Sequence, residues 1–571
     1  MHGEGETIRT VTTDVLVVGS GAGGLATAVT AAKRGLGVIV AEKESVFGGT
    51  TARSGGWLWI PGSPHAVAAG VKDSREAARR YLQHEAGNQF NAETVDAFLE
   101  NGPKAIQFFE NETALQFELG PGFSDYHPEA PGALPGGRSI VAKAFDARAL
   151  GKEVKRLRPP LREITFVGMM IGSQRELLHF FNVTRSVKSA GYVAVLLARY
   201  LRDLAFHGRA MRLTNGNALA ARLAKSAFDA GVDIWTSSPV TELIRDGNRV
   251  TGARVRTADG DVRVETRRGV VLAAGGFPWD IARRKAMFPH APTGQEHWSP
   301  APEGNTGDGI RLGETVGGKA VEGYPNAAAW VPVSRVPRRD GTFGVFPHFI
   351  DRGKPGVIAV LRNGRRFTNE ANSYHDFIQA MVRATPKGEA PAAWLVCDHP
   401  TLRRYGLGFV KPFPVPLGPV LKSGYLVRGR TLRELAQTIG VDPSGLSQTV
   451  GTLNEGAARG IDPEFNKGCN AYNRYLGDPT VQPNPCVGPV AKAPFYAVKV
   501  VPGDLGTFAG LRTNGHGQVL GDNGAPIEGL YASGNDMASV MGGNYPGGGI
   551  TLGPAVTFGY IIGNHLAATK S

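Results

Sequence analysis

Hydrophobic positions near the start of the chain come in blocks. In "TDVLVVGSGAGGLATAVTAAKRGLGVIVAEKE" (13–44), the continuous, partly β-branched run Asp14–Val18 predicts a strand buried on both faces. Small apolar residues then recur at helical spacing (Leu25, Ala28, Val29, Ala32), and "GVIVAE" predicts a second strand ending in Glu42. Between strand and helix stands Gly19-x-Gly21-x-x-Gly24. Strand, glycine turn, helix, strand and terminal acid make a dinucleotide-binding βαβ unit.

Each part has a physical task. Gly19 permits the tight turn, Gly21 lets the backbone approach a pyrophosphate, and Gly24 lets helix and strand pack closely. The helix N-terminus offers free N–H groups to phosphate, and Glu42 can accept hydrogen bonds from a ribose. Further apolar segments ending in small residues lie far downstream: "GVVLAAGGF" (269–277) and "IEGLYASGNDMAS" (527–539). "GGTTARSGG" (48–56) follows the fingerprint directly. Cofactor segments at the start, middle and end of one chain suit the long FAD rather than NAD. The expected contacts are Gly19, Gly21, Ala22, Gly23, Gly24, Glu42, Lys43, Gly49, Thr50, Thr51, Ser54, Gly55, Gly56, Val240, Ala274, Gly275, Gly534, Asn535, Asp536, Thr551 and Leu552.

The periodicity also divides the chain. "RLTNGNALAARLAKSAFDAGVDIWTSSPVTELI" (212–244) predicts a helix feeding a strand of the same sheet. Around Asn326–Val336 the composition turns to Trp, Pro and Tyr, which marks entry to a second unit. The expected fold is α/β: a discontinuous Rossmann-like FAD-binding domain, residues 1–333 and 504–571, with an inserted α+β catalytic domain, 334–503, capping the substrate. A length of 571 residues fits several cores.

Composition adds less. The 78 glycines follow no G-X-Y period, so collagen is excluded. Cys397, Cys469 and Cys486 form no C-x-x-C pair; they suit a reducing compartment and argue against a disulfide framework or a zinc site. "MHGEGETIRTVTTD" has no apolar run and predicts no secretory leader, and no window reaches the length of a spanning helix. The expected location is cytoplasmic.

Net charge changes the picture more. Of a formal +13, much sits between Arg148 and Arg212, with 13 Lys/Arg against 4 Asp/Glu. Within Ser189–Arg212, Val193, Leu196, Leu197, Tyr200 and Leu204 share one helical face, whereas Arg199, Arg202 and Asp203 fall mainly on another. "ITFVGMMIG" (164–172) adds an apolar patch. Basic residues beside an apolar face predict an element lying on a membrane surface, here the inner face of the cell membrane. No recognition motif accompanies the charge, so nucleic acid is not an expected partner.

Four segments narrow the chemistry: "SDYHPEAPGALPGGRSI" (124–140), "NGRRFTNEANSYHDF" (363–377), "FYAVKVVPGDLGT" (495–507) and "GNYPGGGITLGPAVTFGY" (543–560). With the βαβ unit and "GGTTARSGG", the chain resembles 3-ketosteroid Δ1-dehydrogenases, within the glutathione reductase/fumarate reductase-like flavoproteins. The resemblance covers most of the chain outside the basic segment. It implies FAD, a 3-ketosteroid substrate, and removal of a C2 proton and a C1 hydride, the latter to flavin N5. It places the catalytic groups on Tyr126, Tyr374, Tyr545 and Gly549. Where the family continues with Gly-Gly-Leu, this chain has Phe508-Ala509-Gly510-Leu511.

Those residue types suit the reaction. A C2 proton is acidic because the adjacent ketone takes up charge, so the Tyr545 O–H and the Gly549 N–H would form a small oxyanion hole. Glycine at 549 is expected to leave room for the ketone. Tyr374 is the expected base, helped by proton passage to Tyr126 or by nearby positive charge. His127 and His375 read as packing or surface residues, "RNGRR" (362–366) as a solvated turn, and Phe495–Thr507 as a structural link. Three rivals remain: a 3-ketosteroid Δ4-(5α)-dehydrogenase, a fumarate-type reductase, and a non-catalytic flavin-binding membrane scaffold. The electron acceptor is not legible; a quinone and a redox protein are the candidates.

Overall fold

The computed structural model describes residues 9–173 and 175–569. Residues 1–8, where part of the no-leader expectation falls, lie outside the described residues. The run Asp14–Val18 is the inner end of strand Arg9–Val18, with Val15, Leu16 and Val17 fully buried. Helix Ala22–Lys33 and strand Val38–Ala41 follow, as the periodicity requires. Gly19 has φ +104°, and a Cβ there would lie 2.3 Å from the Ala273 carbonyl oxygen. A Cβ on Gly24 would lie 2.1 Å from the Gly19 oxygen, so the turn admits no side chain at either position.

Among the described residues the larger sheet has eight strands, one of which, Val240–Asp246, pairs only with Arg249–Thr257 and stands off the main order. Gln518–Leu520, Pro526–Ala532, Arg249–Thr257, Gly260–Leu272, Arg9–Val18, Val38–Ala41 and Asp233–Trp235 lie side by side in that order. Arg9–Val18 runs parallel to both of its neighbours. The sheet thus unites the beginning, middle and end of the chain, and the C-terminal helix Leu552–Ala568 packs on Ala22–Lys33.

A second sheet of six strands is antiparallel throughout. Positions 333 and 504 fall inside two of its strands, Ala328–Pro337 and Phe495–Thr507, which pair with each other. The strands that leave and re-enter the larger unit are therefore hydrogen-bonded together. Behind them, Ile358, Val360, Val396 and Leu446 form a separate small core.

The basic segment departs from its reading in two places. Helix Val187–His207 begins with the Ser186 side chain accepting from the Ser189 N–H and ends at Gly208, φ +69°. Its buried stripe is Ser189, Val193, Leu196, Tyr200 and Asp203, spaced by four and three residues. Asp203 therefore lies on the inner face, bonded to Arg148 Nη2 at 2.6 Å and accepting from the Met211 N–H. Leu204 lies outside that stripe and is exposed. Arg199 and Arg202 are exposed, as expected.

"RNGRR" is not wholly a solvated turn. Arg366 is fully buried and bonds Glu370 and Asp462 at 2.7–2.8 Å. A guanidinium out of water needs such partners, and these two carboxylates supply them. Among the described residues, no helix is long and apolar enough to cross a membrane.

Candidate active site

The glycine turn opens onto a groove walled by four separate parts of the chain. Gly19, Gly21, Ala22, Gly23, Glu42 and Lys43 form one side. Gly49, Thr50, Thr51 and Ser54 form the next, and Val240, Ala274 and Gly275 come from the middle of the chain. Gly534, Asn535, Thr551 and Leu552 close it. Of the other expected contacts, Gly55 and Gly56 line a second cavity, and Gly24 is spent on packing. Asp536 lines neither; its carboxylate accepts from the Ala274 and Gly276 N–H groups and thereby holds that turn, and burial pushes it up to about 6.

The groove fits a dinucleotide. At Gly21 an added Cβ would meet only Thr51 Oγ1, at 3.8 Å, so the backbone is open to a ligand. Glu42 is braced by the Ser20 and Glu44 N–H groups, 3.1 and 3.0 Å away, which aim its carboxylate. Among the groove residues that escaped the sequence reading are three polar ones from distant parts of the chain, Arg158, Asn305 and Asp308. Arg158 Nε is buried with no partner among the described residues, a donor left for a ligand. Asn305 ties Thr50 to the Gly275 carbonyl, and Asp308 pairs with Lys43. The glycines of "GNTGDG" (304–309) were the available signal for the last two.

Thr50, Ser54, Leu505, Thr551 and Leu552 wall both the groove and the second cavity, so the two adjoin. This cavity encloses about 540 Å³ and is mainly apolar. That size suits a ligand of several rings. Phe166, Ile171, Phe180, Val193 and Leu197 of the basic segment form part of its wall. The apolar inner face of helix Val187–His207 is thus used within the molecule.

Tyr126, Tyr374 and Tyr545 all line this cavity and touch one another. The Tyr126 and Tyr374 hydroxyls share a hydrogen bond of 2.8 Å. Tyr126 stacks on Tyr545, ring centres 5.4 Å apart at 13°, and Tyr374 meets Tyr545 edge-on at 5.0 Å. Each tyrosine is set by its own device. Tyr126 follows Asp125, which is held by Trp59 Nε1 and Arg138 Nη1 at 2.8 and 2.7 Å, and the Tyr126 N–H donates to the Pro546 carbonyl. Tyr374 is the first residue of a helix capped by Ser373. The Tyr545 turn is anchored by Tyr81, whose hydroxyl donates to Pro546 O at 2.6 Å.

Burial pushes all three phenols upward, Tyr545 to about 12 and Tyr126 and Tyr374 well above the ordinary phenol value. For Tyr374, burial and the neighbouring Tyr126, Tyr545 and Tyr472 all act in that direction. Both devices considered for this residue have a counterpart: the hydroxyl relay to Tyr126, and the buried Arg352 guanidinium, which interacts electrostatically with Tyr374. Tyr472 escaped the sequence reading. It is buried, lines the cavity and lies 4.5 Å from Tyr126 between ring centres. No motif separates it in sequence from other tyrosines.

Gly549 also lines the cavity, and its N–H has no partner among the described residues. The structure gives the glycine a further cause beside the expected room for a ketone. Its φ is +103°, and a Cβ would sit 2.6 Å from the Trp57 carbonyl carbon and the Trp59 nitrogen. Strand Trp57–Trp59 passes that close because the Trp59 N–H donates to Gly549 O at 3.1 Å. The two histidines differ. His375 is buried, accepts from the Trp330 N–H and is pushed down to about 4 by burial. His127 bridges Glu85 and Asp376 at 2.6 and 2.8 Å. Burial opposes its charge, but the bonds to Asp376 and Glu85 prevail and raise it to about 10.

A dinucleotide groove adjoining a large apolar cavity with buried phenols defines a flavin-dependent oxidoreductase. Residues 14–552 match the FAD binding domain model, and the chain belongs to that family. It is 45% identical over 564 residues to the 4-oxocyclohex-2-ene-1-carboxylate 5-dehydrogenase of Sinomonas cyclohexanicum, covering 99% of this chain and 95% of that protein. It is 38% identical over 571 residues to the 3-oxosteroid 1-dehydrogenase of Mycolicibacterium smegmatis, covering 98% of each. The structure of 3-ketosteroid Δ1-dehydrogenase from Sterolibacterium denitrificans in complex with 1,4-androstadiene-3,17-dione superposes with TM-score 0.89. That match has 38% identity and covers 98% of this chain and 100% of the other. This chain is an FAD-dependent dehydrogenase of the steroid dehydrogenase family, with the mixed α/β fold of fumarate reductase-type flavoproteins.

Proposed function

We propose that the protein is a 3-ketosteroid Δ1-dehydrogenase, introducing a double bond between C1 and C2 beside the C3 ketone. The carrying observation is the mutual contact of Tyr126, Tyr374 and Tyr545 in a cavity that is also lined by Gly549, whose N–H has no partner among the described residues. FAD, when bound, supplies the hydride acceptor. The Tyr545 hydroxyl and the Gly549 N–H donate to the ketone oxygen and stabilise the charge that grows there as C2 loses its proton. Tyr374, deprotonated to the phenolate, takes that proton, and its hydrogen bond to Tyr126 lets the pair share the phenolate charge beforehand. The apolar wall holds the remaining rings and excludes water. In this reading residues 334–503 cap the cavity, contributing Tyr374 opposite Tyr126 and Tyr545 of the FAD-binding part.

The test is anaerobic titration of the yellow protein with androst-4-ene-3,17-dione, followed by product analysis. Bleaching with loss of two hydrogens at C1 and C2 is expected. A new C4–C5 double bond from a saturated 5α-steroid, with none at C1, would establish the Δ4 alternative. FAD content without bleaching by any ketone would leave a scaffold.

A second reading, oxidation of a monocyclic keto acid, draws on the 45% identity to the cyclohexene carboxylate enzyme. The cavity volume favours the larger substrate, and 4-oxocyclohex-2-ene-1-carboxylate in the same titration separates the two.

The outer face of helix Val187–His207 supports a membrane contact. Val187, Phe206, Leu201 and Val195 are 91, 78, 63 and 52% exposed, with Lys188, Arg199 and Arg202 exposed among them. An apolar face rimmed by cations suits an anionic bilayer surface at the inner membrane face. Flotation with phosphatidylserine vesicles is expected, and a Val187→Ser, Leu201→Ser, Phe206→Ser variant should stay at the bottom. Equal flotation of both proteins, or of neither, would remove the contact.

A further inference from the structure

The cavity wall carries four ordinarily charged side chains: Arg53, Asp351, Lys354 and Lys411. Three have polar partners. Arg53 Nη1 donates to Pro300 O at 3.1 Å, and Lys354 Nζ donates to the Leu476 and Gly477 carbonyls at 2.7 and 2.8 Å. Asp351 takes a hydrogen bond from the Gly408 N–H and pairs with His348 at 2.6 Å. Lys411 differs. Among the described residues its ammonium has no hydrogen bond and no ion pair; it lies over the rings of Phe346 and Phe409, 5.8 and 5.7 Å from their centres.

We propose that Lys411 is a specificity residue that binds an anionic substituent, a carboxylate, on the ketone substrate. This rests on the ring-ketone dehydrogenase reading above and narrows its substrate to multi-ring ketones bearing an acid group. Lys411 is half-buried, and its partial loss of hydration, with no carboxylate to offset it, pushes the ammonium down to about 8. A cation without a counter-ion in a mainly apolar wall is placed to gain from an anionic ligand. With one paired acid against three cations, the wall as a whole favours an anion. Among the described residues Lys411 has no hydrogen bond or ring contact with Tyr126, Tyr374 or Tyr545, so it would grip a part of the substrate other than the reacting ketone.

The test compares 3-oxoandrost-4-ene-17β-carboxylic acid with its methyl ester on the FAD-loaded enzyme. Equilibrium Kd is read from the flavin absorbance change and kcat/KM from turnover. Wild type should bind the acid more tightly than the ester. Lys411→Met should raise the Kd of the acid roughly 10- to 100-fold, the range for a hydrogen bond to a charged group, and move that of the ester far less. Lys411→Arg should retain the preference, which guards against a folding defect in the Met variant. Equal affinity of wild type for acid and ester, or equal losses for both in Lys411→Met, would overturn the proposal. Intact acid preference without dehydrogenation of either compound would support the anion site and refute the dehydrogenase reading on which the substrate class rests.

Discussion

Tyr126 and Tyr374 stand 248 positions apart in the chain, and their hydroxyls share a 2.8 Å hydrogen bond. One comes from an irregular segment braced through Asp125, the other from the first turn of a helix. A proton taken by either phenol has the other oxygen as its next station.

That pairing ranks the tyrosines. Tyr374→Phe should lower kcat on androst-4-ene-3,17-dione by about 10²–10⁴, the worth of a general base. Tyr545→Phe should lower it by about 10²–10³, the worth of one oxyanion donor. Tyr126→Phe should cost less than either, since it acts through Tyr374. None of the three lines the FAD groove, so FAD content measured by absorbance should stay at the wild-type level. A Tyr545→Phe enzyme with undiminished turnover would sink the oxyanion assignment.

The raised phenols set the pH behaviour. Burial disfavours the phenolate at Tyr374 and Tyr545, so a rate needing phenolate should climb from pH 7 towards pH 10, seen as a rising kcat/KM. Stability runs the other way. A tyrosine whose folded value is raised above about 10 contributes fully below that pH and loses its contribution as pH climbs through the folded value, about 12 for Tyr545. Melting temperature should therefore begin to fall above pH 10 while activity is still rising. A flat rate from pH 6 to 10 would contradict a phenol base.

Gly549→Ala should damage the fold before the chemistry. The residue sits at φ +103°, and the new methyl would press on the Trp57–Trp59 backbone at 2.6 Å. The backbone conformation alone costs about 1–3 kcal/mol, with the clash in addition. A clear fall in melting temperature is expected, together with weaker steroid binding. An Ala variant melting like wild type would show that the strand is able to move aside.

Arg366→Met separates structure from chemistry. It strips the buried Glu370 and Asp462 carboxylates of their guanidinium, leaving Glu370 only Lys467 as a cation, at 3.5 Å, and breaking a buried pair costs about 3–5 kcal/mol. Arg366 lines neither the groove nor the cavity. The melting temperature should drop sharply while kcat/KM per folded, FAD-loaded molecule is kept. A specific loss of kcat/KM would show that the network orients Tyr374, four residues beyond Glu370.

By itself, the order of residues determined whatever rests on neighbours in the chain. Val15 to Val17 had to be buried because a continuous apolar run has no polar face to turn outward, and Gly19 and Gly24 had to be glycine because turn and helix meet there without room for a Cβ. FAD and the three tyrosines were legible because each sits in a short, selective motif. Only the tertiary structure decided what depends on contact across long separations. Asp203 turned inward because the buried stripe of its helix runs through it and Arg148 meets it there. Arg366 left the solvent because Asp462, nearly a hundred residues on, reaches it. Gly549 answers to a strand almost five hundred residues earlier, and Tyr472 and Lys411 reach the cavity wall only through folding. Local pattern reports which side chains leave water; it does not report whom they meet, since that is settled by packing among elements the pattern does not link.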